Sequence, residues 1–192
     1  MLSKILSVIF VVFSLPICCY SQSQPDFNHR LIIKTLAKQN SNITYRELKY
    51  NNADSELVNE ENFGKFFKVE GDSTSQYAYL YVGRVVSCHA GGCSVDNGTS
   101  KNENPEYFDY FIIFNAQKIV QQVRVFNYQA THGQEISAKG WLKQFVGYDG
   151  NKSLLASKDI DAISGATISV NAITLDISEK TALLNQLKII NP

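Results

Sequence analysis

Residues 107–128 read YFDYFIIFNAQKIVQQVRVFNY, and this stretch decides the fold. Two runs rich in aromatic and β-branched side chains flank the polar tetrad Asn115-Ala116-Gln117-Lys118. Such residues suit a pleated surface, and a short polar break between two such runs reads as a hairpin. In the return run, Val120, Gln122, Arg124 and Phe126 stand against Ile119, Val123 and Val125. Upstream, residues 63–69 read as a strand, Gly71-Asp72-Ser73-Thr74-Ser75 as a turn, and residues 77–86 as a second strand. Further upstream, Phe27, Leu31, Ile32, Leu36 and Ala37 have helical spacing within residues 25–39, with Asp26 as a cap. The polar, mixed residues 41–59 are expected to be loop with some short structure. Downstream of the hairpin, residues 130–135 form a loop, and Ser137 can cap a short helix through Trp141, Leu142 and Phe145. A last helix carries Val170, Ile173, Leu175, Ile177, Leu183, Leu184, Leu187 and Ile190. A helix, strands in hairpin succession and then two helices predict an α+β domain, with helices packed against an antiparallel sheet.

The chain has 192 residues with 18 basic and 18 acidic side chains. That is long enough for one domain with a real core. Residues 63–192 are expected to hold it, with residues 22–62 as an N-terminal helix and linking segment. The even charge argues against nucleic acid as a partner, because phosphate backbones require a basic footprint. Residues 1–21 stand apart. Lys4 precedes an apolar run that ends near Cys19, followed by Tyr20-Ser21-Gln22, the three-part layout of a signal peptide cleaved near Ser21. The run is short against the about 20 apolar residues of a membrane span. A retained N-terminal membrane anchor is the second reading. A lipid-modified cysteine is the third, weakened by Ile17 just ahead of Cys18. All three place the folded domain outside the cytoplasm, in the periplasm or the envelope.

The second decisive stretch is Asp161-Ala162-Ile163-Ser164-Gly165-Ala166-Thr167-Ile168-Ser169. It reads as a tight loop opening into the last helix. Gly165 permits backbone geometry that other residues resist, and Ser164, Thr167 and Ser169 are all N-cap candidates. Helix starts present free N–H groups and a positive dipole end, which suits a phosphate. An ordinary cap is the simplest chemical reading.

The same string resembles the D-x-x-S/T-G-A-T motif of the FMN-binding domain family, which includes the G-type subunit of Rnf complexes and the C-type subunit of the sodium-translocating NADH:quinone reductase. Asp161 matches the motif's acid, Ser164-Gly165-Ala166 its turn and Thr167 its last threonine. The resemblance implies that Thr167 carries covalent FMN through a phosphoester, installed by a flavin transferase of the ApbE family. It extends loosely over residues 63–190, and the chain looks most like the small exported, stand-alone members. Gly133-Gln134-Glu135-Ile136 through Phe145 resembles the glycine-containing loop and helix ahead of the flavin site. Gly133, Gln134 and Glu135 thereby become candidates for the ring-facing loop. Trp141 is a core residue at this spacing, with a flavin contact as the alternative. Asp161 is expected to guide the transferase or shape the loop.

If residues 1–21 are removed, Cys88 and Cys93 are the cysteines that remain. In an exported domain such a pair reads first as a disulfide across Cys88-His89-Ala90-Gly91-Gly92-Cys93, stabilising by about 2 kcal/mol. A redox-active pair is the sharper alternative. A closed metal site would need a distant fourth ligand, and haem attachment would need a C-x-x-C-H string, so neither metal nor haem is expected. His29 and His132 read as surface or loop residues. The sequence thus points to an extracytoplasmic electron-transfer flavoprotein, serving a membrane or envelope redox partner and assigned no catalytic residue of its own. The alternatives are a flavin-dependent envelope reductase and a disulfide-stapled binding module without flavin.

Overall fold

The structure, a computed structural model, describes residues 24–39, 42–50, 64–71, 76–87 and 106–190. Five strands form one antiparallel sheet in chain order: β1 (Thr44–Glu47), β2 (Gly64–Glu70), β3 (Tyr79–Ser87), β4 (Glu106–Phe114) and β5 (Val120–Tyr128). Each strand pairs with its sequence neighbour, so every connection is local. The hairpin read from residues 107–128 is β4–β5, turned by Asn115, whose side-chain oxygen accepts from the backbone N–H groups of Gln117 and Ile119. The α+β expectation is met. Helix α1 (Arg30–Leu36) covers one face of the sheet, and α3 (Thr167–Gln186) covers the other; between β5 and α3 in the chain lie a 3-10 turn (Gln134–Ser137), α2 (Lys139–Leu142) and a second 3-10 turn (Lys143–Phe145).

The two-sided cover explains the continuous apolar reading of β4. Its odd-numbered Phe111 and Ile113 join Leu80, Val82, Phe126, Ile32 and Leu36 beneath α1. Its even-numbered Phe108, Tyr110, Ile112 and Phe114 join Val170, Ile173, Ile177 and Leu184 of α3. A period of two thus sends alternate residues into two separate cores.

Four expectations are corrected. Helix α1 is shorter than residues 25–39, and its cap is His29, whose Nδ1 accepts from Leu31 N at 3.3 Å; Asp26 instead accepts from Asn28 N and closes the turn before it. His29 is accordingly no simple loop residue, since its ring also stacks on Phe126 with centroids 4.5 Å apart. Half-buried Tyr45, edge-on to Phe67 at 5.4 Å, belongs to strand β1, which is the short structure expected within residues 41–59. Cross-strand pairs Arg46–Glu70 and Lys65–Glu47 hold it in register with β2. Ser137 caps nothing: Ala138 holds the N-cap position of α2, and Ser137 Oγ is buried without a hydrogen-bond partner. Leu175 is 58% exposed, because it lies two residues, roughly 200° of helix, from the buried Ile173.

Two bulges break the β4–β5 register, between Phe108 and Asp109 and between Ile113 and Phe114. At the first, Asn127 is the extra residue: Phe126 stands opposite Asp109 and Tyr128 opposite Phe108. Asn127 has φ 48°, a left-handed conformation that asparagine tolerates better than most residues. Its side-chain amide donates to Asp109 Oδ2 at 2.7 Å. Asp109 is fully buried and takes a bidentate contact from Arg84, at 2.7 and 3.1 Å; the guanidinium also lies over the Tyr107 ring. Removing one member of such a pair strands a buried charge. Asp109→Ala is therefore expected to destabilise the fold by about 3–5 kcal/mol in urea denaturation.

On the α3 side, the Tyr110 hydroxyl donates to Asp176, which also pairs with Lys180 Nζ at 3.3 Å. Burial pushes the Asp176 carboxyl above its ordinary 3.8; Lys180 and the Tyr110 hydrogen bond pull it back, and Glu179 adds to the rise. The folded chain thus holds this proton more tightly than the unfolded chain. The contribution of Asp176 to stability therefore declines as pH rises from the unfolded value through the raised one. Asp176→Asn is expected to flatten that slope when stability is measured from about pH 4 upward. The slope is the readout, because the substitution also strips Lys180 of its partner.

Candidate functional site

The loop ahead of α3 is gripped at its first residue. Asp161 N donates to Gln144 Oε1 at 2.8 Å, and Trp141 Nε1 donates to the Asp161 carbonyl at 2.9 Å. Gln144 is itself steadied by donating to the Trp141 carbonyl. Trp141 is half-buried and meets Phe145 edge-on at 5.5 Å, so its ring packs on the core while its one polar atom holds the loop. The Asp161 side chain is exposed.

Ala166 N donates to the Ile163 carbonyl at 3.1 Å, closing a turn over Ile163-Ser164-Gly165-Ala166. Gly165 occupies its third position at φ 79°, where a side chain would be strained even though the space around it is open. Ser164 is exposed and Ala166 is buried. Thr167 is then the first residue of α3, with its side chain exposed.

The helix start has no side-chain cap. Ala166 stands at the N-cap, where neither Ser164, Thr167 nor Ser169 supplies an oxygen. Among the described residues nothing accepts from the N–H groups of Thr167, Ile168 and Ser169; the first bonded amide of the helix is Val170, donating to Ala166 O at 2.9 Å. Three free donors, the positive end of a long helix and an exposed hydroxyl therefore converge at one point.

The loop at residues 130–135 meets this point from the other side. The Tyr128 hydroxyl donates to the His132 carbonyl at 2.6 Å and lies 3.1 Å from Ser169 Oγ, whose hydroxyl is then the donor. Gly133 fits beneath them at φ 88°, and a Cβ there would stand 2.6 Å from Ser169 Oγ. Thr131 donates to the buried Glu106, tying the loop to the start of β4. Burial raises the Tyr128 hydroxyl above its ordinary range; the Ser169 contact offsets part of this, and Glu106 and Glu135 add to it. Gln134 and Glu135 are exposed on the 3-10 turn, which Ile136 anchors in the core.

The structure thus brings Gly133 against Ser169 in the first turn of α3, two residues after Thr167, and ties Trp141 to Asp161; Gln134 and Glu135 follow Gly133, exposed on the 3-10 turn. Tyr128, Glu106, Thr131 and Gln144 complete the arrangement without having been singled out from sequence. The bulge at Asn127 explains the first of these omissions, since an unbroken alternation would have sent Tyr128 to the α1 face. Cys88 and Cys93 lie outside the described residues, as does the N-terminal segment 1–21. Among the described residues there is no group of three or more His, Cys, Asp or Glu able to hold a metal, and no helix long and apolar enough to cross a membrane.

Residues 98–178 match the FMN-binding domain family. The match takes in β4, β5, the loop at residues 130–135, α2, the motif and the first half of α3, and leaves out α1 and β1–β3. No curated protein and no solved structure matches the chain. The close approach at Gly133 is open to test: Gly133→Ala adds the Cβ contact and a left-handed penalty, for an expected loss of about 1–3 kcal/mol in urea denaturation. Combining it with Ser169→Ala should recover only the part due to the contact.

Proposed function

With residues 98–178 belonging to the FMN-binding domain family, we propose that this flavoprotein is an exported electron carrier whose FMN is joined by a phosphoester to Thr167. The observation that carries the reading is the uncapped start of α3, with an exposed threonine at its first position and three unspent N–H donors. A helix start shaped only for stability would place a serine, threonine, aspartate or asparagine at the N-cap, a choice worth typically ~1 kcal/mol over alanine. Here Ala166 is 3% exposed and serves packing, and the polar donors are left for another acceptor.

The residues fit a phosphate ester. Thr167 Oγ1 would be the acceptor atom, and the N–H groups of Thr167, Ile168 and Ser169 would supply donors to the charge of the phosphodiester with the helix dipole behind them. Gly165 gives the turn its left-handed corner, and Ala166 seats it in the core. Asp161 is fixed through its backbone by Trp141 and Gln144, which leaves its carboxylate free to meet the flavin transferase of the ApbE family. Gln134 and Glu135 stand on the neighbouring turn, beside Gly133, as candidates to border the ring. A flavin supplies both one- and two-electron chemistry, and the protein holds and tunes it. A covalent link suits a compartment without a pool of free flavin. We assign electron exchange with a membrane or envelope redox partner, in place of turnover of a small substrate.

Intact mass of the exported chain, co-expressed with a flavin transferase, tests this. A gain of one FMN less water, mapped to the peptide containing Thr167 and lost in Thr167→Ala, is expected. A chain that gains no such mass, or that keeps it after the substitution, overturns the reading. Steady turnover of a defined substrate would move the flavoprotein to the reductase class.

A further inference from the structure

A groove of about 590 Å³ runs between β5 and the α2 segment, away from the motif loop. Its walls include Gln122 and Arg124 of β5 and Lys139, Leu142, Lys143 and Val146 from the α2 side. Three wall residues are cationic and none is acidic. Beside this groove β5 is an edge strand: it pairs with β4 on one side and with no strand on the other among the described residues. Among the described residues its backbone is bonded on that side at its first residue, where Val120 exchanges bonds with Gly147 and Tyr148 at 2.9 Å each.

Arg124 sets this edge apart from an ordinary one. Its residue is 8% exposed, its Nε is buried with no hydrogen-bond partner, and no carboxylate of the described ion pairs belongs to it. Burying a guanidinium N–H without an acceptor is costly, so Nε lacks a partner as the site stands. Lysines on edge strands commonly serve to repel other strands. These cations differ in position: Lys139 on α2 and Lys143 on the 3-10 turn after it stand across the groove, and Arg124 lines the groove with its Nε buried. A second copy of the chain is disfavoured as occupant, because two β5 edges would set like charges face to face. The opposite edge of the sheet is already self-neutralised by Arg46–Glu70 and Lys65–Glu47.

We propose that this groove binds an extended peptide segment bearing carboxylates, which adds as a further strand to β5 and delivers an acidic side chain to Arg124. Backbone pairing along the free edge supplies the affinity, and the three cations select the sequence. The acidic segment belongs to a protein partner, which docks along the strand that ends at Tyr128 beside the first turn of α3.

The test uses the full exported chain and a short fluorescein-labelled peptide of alternating valine and glutamate, read by fluorescence anisotropy. Binding that weakens with salt is expected, with a loss of about tenfold or more in Arg124→Gln and partial recovery in Arg124→Lys. Lys139→Gln with Lys143→Gln, both exposed positions, should weaken binding without disturbing the far-UV spectrum, and so stands in if Arg124→Gln fails to fold. The same peptide methylated on alternate backbone nitrogens keeps its carboxylates and loses strand pairing; it should not bind. Equal binding of the methylated peptide would reduce the groove to charge attraction and overturn the proposal. Displacement of the peptide by millimolar inorganic phosphate would do the same in favour of a small-anion site, as would affinity unchanged by the substitutions. Repeating the titration with Thr167→Ala separates this proposal from the flavin reading, since the groove needs no cofactor and its affinity should be the same.

Discussion

The bulge at Asn127 is the constraint on which the site depends. Without it, Tyr128 would follow Phe126 onto the α1 face. With it, the tyrosine stacks flat on Phe108, rings 5.4 Å apart and 5° from parallel, and sends its hydroxyl to the first turn of α3. That hydroxyl also takes the His132 carbonyl as acceptor and so fixes the loop that brings Gly133 under Ser169. One extra residue in one strand thereby joins two segments that lie far apart in sequence. Bulges concentrate beside functional sites because they re-aim a side chain without altering the rest of a sheet. The left-handed strain at Asn127 is offset by its amide contact to Asp109, which is in turn neutralised by Arg84. A buried ion pair is poor as a source of net stability, but it sets geometry firmly because any slip leaves a charge unpaired. The bulge is held from the α1 face and acts on the α3 face.

The start of α3 shows the complementary choice. Its buried stripe carries small polar residues among the aliphatics: Ser169, Thr174, Ser178 and Thr181 lie against the sheet with Val170, Ile173, Ile177 and Leu184. Several find work there. Ser178 Oγ lies 3.0 Å from the Tyr148 hydroxyl, and Thr181 donates back to the Ile177 carbonyl. Polar groups are thus spent inside the helix–sheet interface, while the helix terminus, where they would ordinarily be worth most, is left bare. That inversion makes sense if the terminus is reserved for a ligand.

How much of this could be read from the sequence follows from what leaves a periodic trace. Strands β2 to β5 and part of the buried stripe of α3 were legible because alternating or helical apolar spacing reports on buried faces, but Leu175 is exposed and Ile190 lies exposed beyond the end of the helix. The segment Thr44-Tyr45-Arg46-Glu47 was legible only as short structure, because a four-residue edge strand with one half-buried residue, Tyr45, is too short to show an alternation. Asp26 as a cap was a sound local rule overridden by tertiary packing: stacking on Phe126 fixes His29 one turn later, and its nitrogen caps instead. The bulge left only Asn127 as a hint, with no glycine to mark it. Within the site, Thr167 and its turn were legible as a motif. Their meeting with Gly133 rests on long-range contacts that no spacing encodes, and the tie from Trp141 to Asp161 rests on a single indole N–H, invisible to a hydropathy pattern.

The α2 segment belongs to both regions. A helical period places Lys139 and Lys143 on one side and turns Trp141 and Gln144 toward another. The first side forms a wall of the cationic groove, and the second holds the backbone of Asp161. Between them Leu142 and Phe145 are buried in the core at 1% and 0% exposure, so the segment cannot rock without opening a cavity. A partner seated in the groove would therefore meet a wall whose distance from the motif loop is fixed by packing. For the proposed electron carrier this arrangement would have a plain advantage. Docking would not need to reshape the proposed anchoring turn, because the buried residues that stiffen this wall of the groove belong to the segment whose Trp141 and Gln144 grip Asp161.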